Sequence, residues 1–244
     1  MSDGAPIGAV TFDFWNTLVA EGGDAKYNDR AERWVGALRA AGHEMPQELV
    51  ERAMTDLWAW FDERWEGNEV VTPEMLVARL LEFMTIPHDP ALADAMEATL
   101  HAGADPRLTV TAPDIADTLD ALRSRGVRVG IICDVGMTPS TALRRYLDHH
   151  GLLAHFDGWS FSDEVGCYKP DPRIFDHARG VLGVAASIPM AHVGDLRRTD
   201  VAGARDAGWT SVRYTGFYDD ESELADADVV ISSHSELLGA LGIT

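Results

Sequence analysis

Cysteine is nearly missing from this chain: Cys133 and Cys167 are the only two in 244 residues. At this length two thiols make no disulfide framework, which excludes a small cystine-stapled secreted scaffold and points to a reducing compartment, the cytosol by default. Long apolar runs are missing as well. None approaches the ~18 residues of a membrane-spanning helix, and the opening MSDGAPIGAV has no basic start ahead of an apolar segment, so neither a span nor a signal peptide is expected. Basic charge is scarce: 20 Lys and Arg stand against 40 Asp and Glu, a formal charge of −20. Such a surface repels polyphosphate backbones and anionic lipid, which excludes nucleic acid and membranes as partners and makes a lysine set beside acids conspicuous. No repeat period and no low-complexity tract interrupts the chain. What is there is ordinary for a folded protein, 46% hydrophobic and 25% charged, and the length admits either one large domain or a core domain with an insert.

The stretch GAVTFDFWNTLV, Gly8 to Val19, organises the rest. Its apolar run from Ile7 to Phe12 predicts a buried strand that ends on the carboxylate of Asp13. Asn16 and Thr17 follow as small polar residues suited to turning the backbone and lending hydrogen bonds to whatever sits beside Asp13. Then the period changes to that of helices. Asp24 to Ala41 sets Tyr27, Ala31, Trp34, Val35 and Leu38 on one side, with Gly42 as a stop. Pro46 opens a second helix, in which Leu49, Val50, Ala53, Leu57, Trp58, Phe61 and Trp65 form a stripe before Gly67. Thr72 and Pro73 begin a third. Asp89 to about Ala102 makes a fourth, ended by Gly103 and Pro106. With no strand between them, residues 21–105 read as a small helical bundle inserted after the first strand. Of its tryptophans, Trp34, Trp58 and Trp65 belong to the packed stripe. Trp60 falls off it and is expected to face the other domain or a ligand.

From Pro106 the chain alternates strand and helix, which predicts a parallel α/β sheet covered on both faces. Val127 to Ile132 delivers Cys133 and Asp134, with a helix from Thr138 to His150 after it. Phe156 to Phe161 leads into SDEVGCYKPDPRIF, where Lys169 precedes two prolines, and Met190 to Asp195 runs into Gly194 and Asp195, with Asp200 beyond. Further strands follow at Ser211 to Tyr214 and Asp228 to Ile231. Ligands of parallel sheets bind outside the carboxyl ends of the strands, so Asp13, Cys133, Asp134, Lys169, Asp195 and Asp200 converge if these strands are neighbours. Taken singly, Asp195 and Asp200 are ordinary helix caps, Lys169 a solvated loop residue and Cys133 a small buried hydrophobe. Taken together they describe a site. Acids gathered this closely repel unless a hard cation such as Mg²⁺ joins them, and the lysine then neutralises an anionic substrate or intermediate.

These residues resemble the motifs of the haloacid dehalogenase-like (HAD) hydrolase superfamily. DFWNTL, Asp13 to Leu18, is similar to its first motif, Cys133 stands at its second, KPDPRIF, Lys169 to Phe175, matches its third, and GDLRRTDVAGARDAG from Gly194 matches its fourth. The resemblance implies a Rossmann-like core domain of residues 1–20 and 106–244 and an all-helical cap of residues 21–105 that closes over the site. It implies Asp13 as the nucleophile of a two-step hydrolysis through an aspartyl intermediate. Mg²⁺ would lie between Asp13, the backbone carbonyl of Trp15 and Asp195, with Asp200 in support. Lys169 would hold Asp13 and the transferring group, and Trp15, Thr17, Cys133 and Asp134 complete the candidate catalytic set.

The chain departs from the pattern twice. Trp15 stands where phosphatases of the family carry a second Asp, the general acid and base, and an indole donates a hydrogen bond without shuttling a proton. Cys133 replaces a hydroxyl by a weaker donor. The leading expectation is a Mg²⁺-dependent hydrolase of a small phosphorylated or related molecule, monomeric or homodimeric. A 2-haloacid dehalogenase is the alternative, since that branch also lacks the second Asp, often with an aromatic in its place. A C–P bond hydrolase would need a cap lysine, for which only Lys26 is offered. A metal- and ligand-binding protein without turnover is the alternative from another class.

Overall fold

Each apolar run that ends on a suspected site residue becomes a strand of one parallel sheet. The computed structural model describes residues 6–21 and 25–244, and of residues 25–28 the backbone only. In chain order, β1 (Ala9–Phe12) and β2 (Val19–Glu21) precede four helices: α1 (Ala25–Ala40), α2 (Gln47–Glu66), α3 (Pro73–Phe83) and α4 (Pro90–Ala102). There follow β3 (Thr109–Thr111), α5 (Ile115–Ser124), β4 (Arg128–Cys133), α6 (Ser140–His149), β5 (Gly158–Phe161), α7 (Ser162–Val165) and α8 (Pro172–Val181). The chain ends with β6 (Met190–Gly194), a π-helical turn Arg197–Val201 continuing into α9 (Ala202–Asp206), β7 (Thr210–Tyr214), β8 (Val229–Ile231) and α10 (Leu237–Ala240). Among the described residues no helix is long and apolar enough to cross a membrane.

The sheet runs β5-β4-β1-β6-β7-β8, with β1 in the middle and Phe12 opposite both Ile131 and Val193. Its pairs are parallel. Strands buried on both faces lose the alternation of half-exposed strands, which is why AVTF and MAHVG contain no exposed position. On one face α8 packs over β4 and β5, where Ile132, Cys167, Ile174, Phe175, Leu182, Met190 and Trp209 share one apolar cluster. The sheet of β2 with β3 was not foreseen. Each strand is only three residues long, too short to set a period.

The chain divides into two compact units. One comprises the chain up to Ala20, Val110–Asp134 and His150–Thr244; the other comprises Glu21–Thr109 and Val135–His149. The helical unit thus takes in α6, which the strand-helix alternation assigns to the sheet domain of residues 106–244. The reason lies in Gly103, whose positive φ ends α4 and whose absent side chain lets α6 approach: a Cβ there would lie 2.6 Å from that of Ala142 and 2.9 Å from the Tyr146 hydroxyl. Tyr146 accepts the Ala104 N–H at 2.8 Å, and Arg30 donates to Thr138 at 2.9 Å.

The helix starts follow local chemistry. Thr72 accepts the Met75 N–H and Asp89 the Leu92 N–H, each with proline at the first helical position. Within the bundle Ala31, Trp34, Leu38, Val50, Leu57, Leu76 and Leu80 are buried. Leu49, read as part of the stripe, is instead 40% exposed. Trp60 lies beneath two arginines, with the Arg64 guanidinium 4.1 Å and that of Arg79 5.8 Å from its ring centre. Its ring thus faces cations of its own unit, an arrangement that spacing alone does not reveal. The helix start at Asp24 and the side chains of Lys26 and Tyr27 lie outside the described residues.

Candidate active site

Asp13 is held at the centre of the sheet edge because β1 is paired on both sides and the Asp13 N–H continues the ladder, donating to Val193 O at 2.7 Å. The chain then turns sharply. Phe14 O accepts the N–H groups of Leu18 and Val19, and Asn16 takes a left-handed φ of 54°, which asparagine tolerates better than most residues. This aims the Asn16 amide at Asp195, with Nδ2 donating to Oδ2 at 3.3 Å. Trp15 is half-buried and stands edge-on to Phe14.

Lys169 arrives from the loop before α8, and its peptide bond to Pro170 is cis. Its ammonium, 2% exposed, donates to Asp13 Oδ1 at 2.5 Å, Asp200 Oδ1 at 2.6 Å and Ile132 O at 3.3 Å. Asp134, at the end of β4, accepts the Lys169 backbone N–H at 2.8 Å, so this acid anchors the lysine loop. The turn after β6 brings Asp200 back over Gly194, where a Cβ would lie 2.2 Å from the Asp200 carboxyl carbon. Both oxygens of Asp200 accept hydrogen bonds: Oδ1 from Lys169 and from His192 at 3.0 Å, Oδ2 from the Leu196 N–H at 3.0 Å.

The electrostatics follow from one ammonium shared among several acids. Burial works against ionisation of Asp200, yet Lys169 and His192 outweigh it and hold this carboxyl well below the ordinary range. Burial pushes Asp13 up to about 7, with Lys169 opposing and Asp200 and Asp134 adding to the rise. Asp195 is pushed to about 8 by burial and then by Asp13 and Asp200, with the Asn16 amide as its hydrogen-bond partner. The Cys133 thiol is fully buried and pushed far up by burial and by Asp13, which keeps it a neutral, weak donor. Thr17 is buried too, and its hydroxyl has no hydrogen-bond partner among the described residues.

A divalent cation fits these donors by charge and type. Asp13 and Asp195 offer oxygen to a hard ion, and a cation would offset the burial and the mutual repulsion that raise both. Among the described residues no three His, Cys, Asp or Glu side chains converge as a cage. Two carboxylates with a main-chain oxygen, completed by water, is the kind of set Mg²⁺ accepts. Asp200, expected in support of the metal, directs Oδ1 to Lys169 and His192 and Oδ2 to the Leu196 N–H.

Two histidines were not foreseen as site residues. His192 lies inside an apolar strand, and His234 is far along the chain in a polar stretch. His234 donates from Nε2 to the Thr17 carbonyl at 2.8 Å and stacks on Tyr214 at 4.2 Å, bracing the turn that follows Asp13 from behind. Its Nδ1 is buried without a partner, and burial pushes the ring down to about 4 from 6.5. A proton there would add an N–H with no acceptor. The unfolded chain therefore takes up a proton between pH 6.5 and 4 that the folded state refuses, so the stability is full above 6.5 and falls as the pH drops through that window, by about 3 kcal/mol. Because Asp13 and Asp195 carry the opposite dependence in this range, urea titrations at pH 7 and 4.5 should show His234→Gln, which keeps a donor for Thr17, gaining stability relative to the wild type by about this amount as the pH falls. Equal pH slopes in the two proteins would refute it.

The family model described as haloacid dehalogenase-like hydrolase matches residues 7–208. The mouse (Mus musculus) haloacid dehalogenase-like hydrolase domain-containing protein 3 is 27% identical over 210 residues, 85% of this chain and 76% of that protein. The phosphoglycolate phosphatase of Salmonella typhimurium is 32% identical over 137 residues, covering 55% of this chain and 52% of the relative, so the chain spans about half the length of that enzyme. Among solved structures, a HAD phosphatase from Thermococcus onnurineus shares the fold with a TM-score of 0.67 at 24% identity, over 97% of this chain and 98% of that one. A 2-haloacid dehalogenase from Pseudomonas syringae pv. Tomato DC3000 has a TM-score of 0.66 at 25% identity with the same coverage, 97% and 98%. With four motifs gathered on one sheet edge and a family match whose span includes all of them, the chain belongs to the haloacid dehalogenase-like hydrolases.

Proposed function

We propose that this hydrolase is a Mg²⁺-dependent phosphatase of small molecules that uses Asp13 as its nucleophile. The observation that carries the reading is an excess of buried acid: Asp13, Asp195 and Asp200 surround a single lysine, and Asp195 makes no ion pair with it. Mg²⁺ held by Asp13, Asp195 and the Trp15 carbonyl would neutralise this excess and screen the charge of a phosphoryl group. The chain's own residues supply the rest. Lys169 holds Oδ1 of Asp13, which leaves Oδ2 to attack. An Oδ2–P bond forms as the bond from phosphorus to the leaving oxygen breaks, and water then cleaves the aspartyl phosphate to return the carboxylate and release phosphate. The ammonium of Lys169 opposes the negative charge of the transferring group in both steps.

Trp15 sets the limit on this chemistry. General acid-base assistance is worth ~10²–10⁴-fold, about 3–5 kcal/mol of barrier. Without it the favoured substrates are those whose leaving group departs as a weak base. The same residue supports a second reading, attack of Asp13 on carbon with loss of halide, for which the likeness to a 2-haloacid dehalogenase is a parallel. Asp195 speaks against that reading, because a reaction without metal has no need of a second buried acid beside the nucleophile.

Phosphate release from p-nitrophenyl phosphate, with Mg²⁺ and with EDTA, is to be measured beside halide release from 2-chloropropionate. The expected result is phosphate release that requires Mg²⁺, rising about 10²-fold in Trp15→Asp as a proton carrier is restored. Metal-independent halide release would overturn the proposal. Mg²⁺ binding with neither activity would replace it by a ligand-binding role.

A further inference from the structure

Behind Lys169 runs a buried hydrogen-bond chain that the reaction itself does not use. The parallel register of β1 on β6 sets Thr11 opposite His192, with the Thr11 hydroxyl 2.9 Å from Nδ1 of the ring. On its other side the ring reaches Asp200, Nε2 to Oδ1 at 3.0 Å. A carboxylate only accepts, so Nε2 carries the proton whichever state Nδ1 adopts. Phe175, from the helix that follows the lysine loop, stands edge-on to the imidazole at 5.5 Å and 84°. Phe175 is seated in turn against Gly203, where a Cβ would lie 2.3 Å from its ring. Thr11, His192 and Asp200 are each no more than 2% exposed.

We propose that His192 is a positioning residue for Lys169: its Nε2–H pins the Asp200 carboxylate, and Asp200 fixes the ammonium against Asp13. Ammonium groups have three hydrogens and rotate freely about the terminal bond. Here all three have acceptors, and two of those acceptors are carboxylate oxygens whose own positions decide where the charge sits. Asp13 is to be the reacting group and is bound to shift during turnover. Asp200 is the fixed reference, and the ring of His192 is the donor on its Oδ1 that does not move with the lysine. Partners of this kind behind a reactive group typically change its performance 10- to 100-fold when removed.

The inference rests on the reading of Lys169 as a site residue, and a readout independent of turnover keeps the two apart. Protein labelled with ¹⁵N-lysine is to be observed by NMR, with the Lys169 ammonium assigned by its loss in Lys169→Met. A slowly exchanging signal is expected in the wild type. His192→Leu should speed its exchange with water at least tenfold and lower kcat for p-nitrophenyl phosphate about 10- to 100-fold, with KM within twofold. His192→Gln retains an N–H donor and should restore most of both. Thr11→Val, which removes the hydroxyl while keeping the branched shape, should accelerate exchange to a smaller extent, and with the glutamine variant it carries the test if His192→Leu does not fold. Wild-type exchange in a folded His192→Leu protein would overturn the proposal, as would a glutamine variant as impaired as the leucine one. Absence of phosphatase activity in the wild type would defeat the functional reading alone, leaving the exchange series to decide on His192.

Discussion

Asp13→Asn is expected to abolish phosphate release, by about 10⁴-fold or more, and to leave a protein at least as stable as the wild type. The first half follows from the nucleophile's role: an amide cannot form the aspartyl intermediate, Asp195 is the acid assigned to the metal in the proposed reaction, and the other two nearby carboxylates are committed elsewhere. Asp200 has both oxygens occupied, and Asp134 is bonded to the Lys169 backbone. The second half follows from the charge balance. Burial and neighbouring acids hold Asp13 near 7, far above the 3.8 of a free carboxyl, so the folded state binds more protons than the unfolded chain between those values. Stability therefore falls as the pH rises through that window. Asparagine has no charge to bury and also relieves Asp195. Lys169 loses one carboxylate but keeps Asp200 and Ile132 O. The net gain at pH 8 in EDTA should be on the order of 1 kcal/mol, as is common when a functional charge is removed from a strained site. Product assays and thermal melts check both halves. Residual activity within tenfold of wild type would mean that another group attacks, and a large loss of stability would mean that Asp13 is chiefly a structural partner of the lysine.

The parts of this site that could be read from the sequence are those that end strands. An apolar run closed by a charged residue is visible in one dimension, and in a parallel sheet it fixes where the charge emerges, which made Asp13 and Asp195 legible, while Lys169 and Asp200 were legible as charged residues in the loops that follow such runs. What sits inside a strand or arrives from far along the chain was not. His192 gave one signal, a titratable residue in the middle of MAHVG, but its meaning depends on the register that sets Thr11 beside it. His234 gave none, since it lies 217 positions from the carbonyl it braces. Asn16 was legible as a turn residue, whereas its bond to Asp195 required both loops in place. Asp200 was legible as an acid beside the others, whereas its bonds to Lys169 and His192 required the fold, because spacing does not say which way the oxygens of an acid point. In the helical unit the same limit applies to α6, whose periodicity is that of any helix covering a sheet until Gly103 and Tyr146 show what it packs against.

Lys169→Met should be the most damaging single change to the fold as well as to turnover. The variant retains the length and apolar bulk of the side chain and removes its charge, so no large cavity is made and the pH dependence of the effect reports the charge. Three carboxyls would then be left buried with no ammonium among them: Asp13, Asp195 and Asp200, none more than 7% exposed. Breaking a buried pair by removing one partner typically costs about 3–5 kcal/mol, because the remaining charge is neither solvated nor paired. Asp200 bears most of this. It is the one acid held well below the ordinary range, and the lysine is the first attraction that overcomes its burial. Without Lys169 its carboxyl should rise, and all three acids should hold protons in the folded state at pH values where the unfolded chain has lost them. The loss of stability should accordingly be large at pH 8 and should shrink as the pH falls towards 5, the reverse of the acid sensitivity contributed by His234. Turnover should drop about 10³-fold even where the variant is folded, since the charge opposing the transferring group is gone. Urea titrations of wild type and variant at pH 5, 6.5 and 8 measure the first effect, and phosphate release at saturating p-nitrophenyl phosphate measures the second. A destabilisation that does not vary with pH would show that Lys169 contributes packing and backbone geometry instead of charge, and the reading of this sheet edge as an acid cluster organised by one ammonium would fail with it.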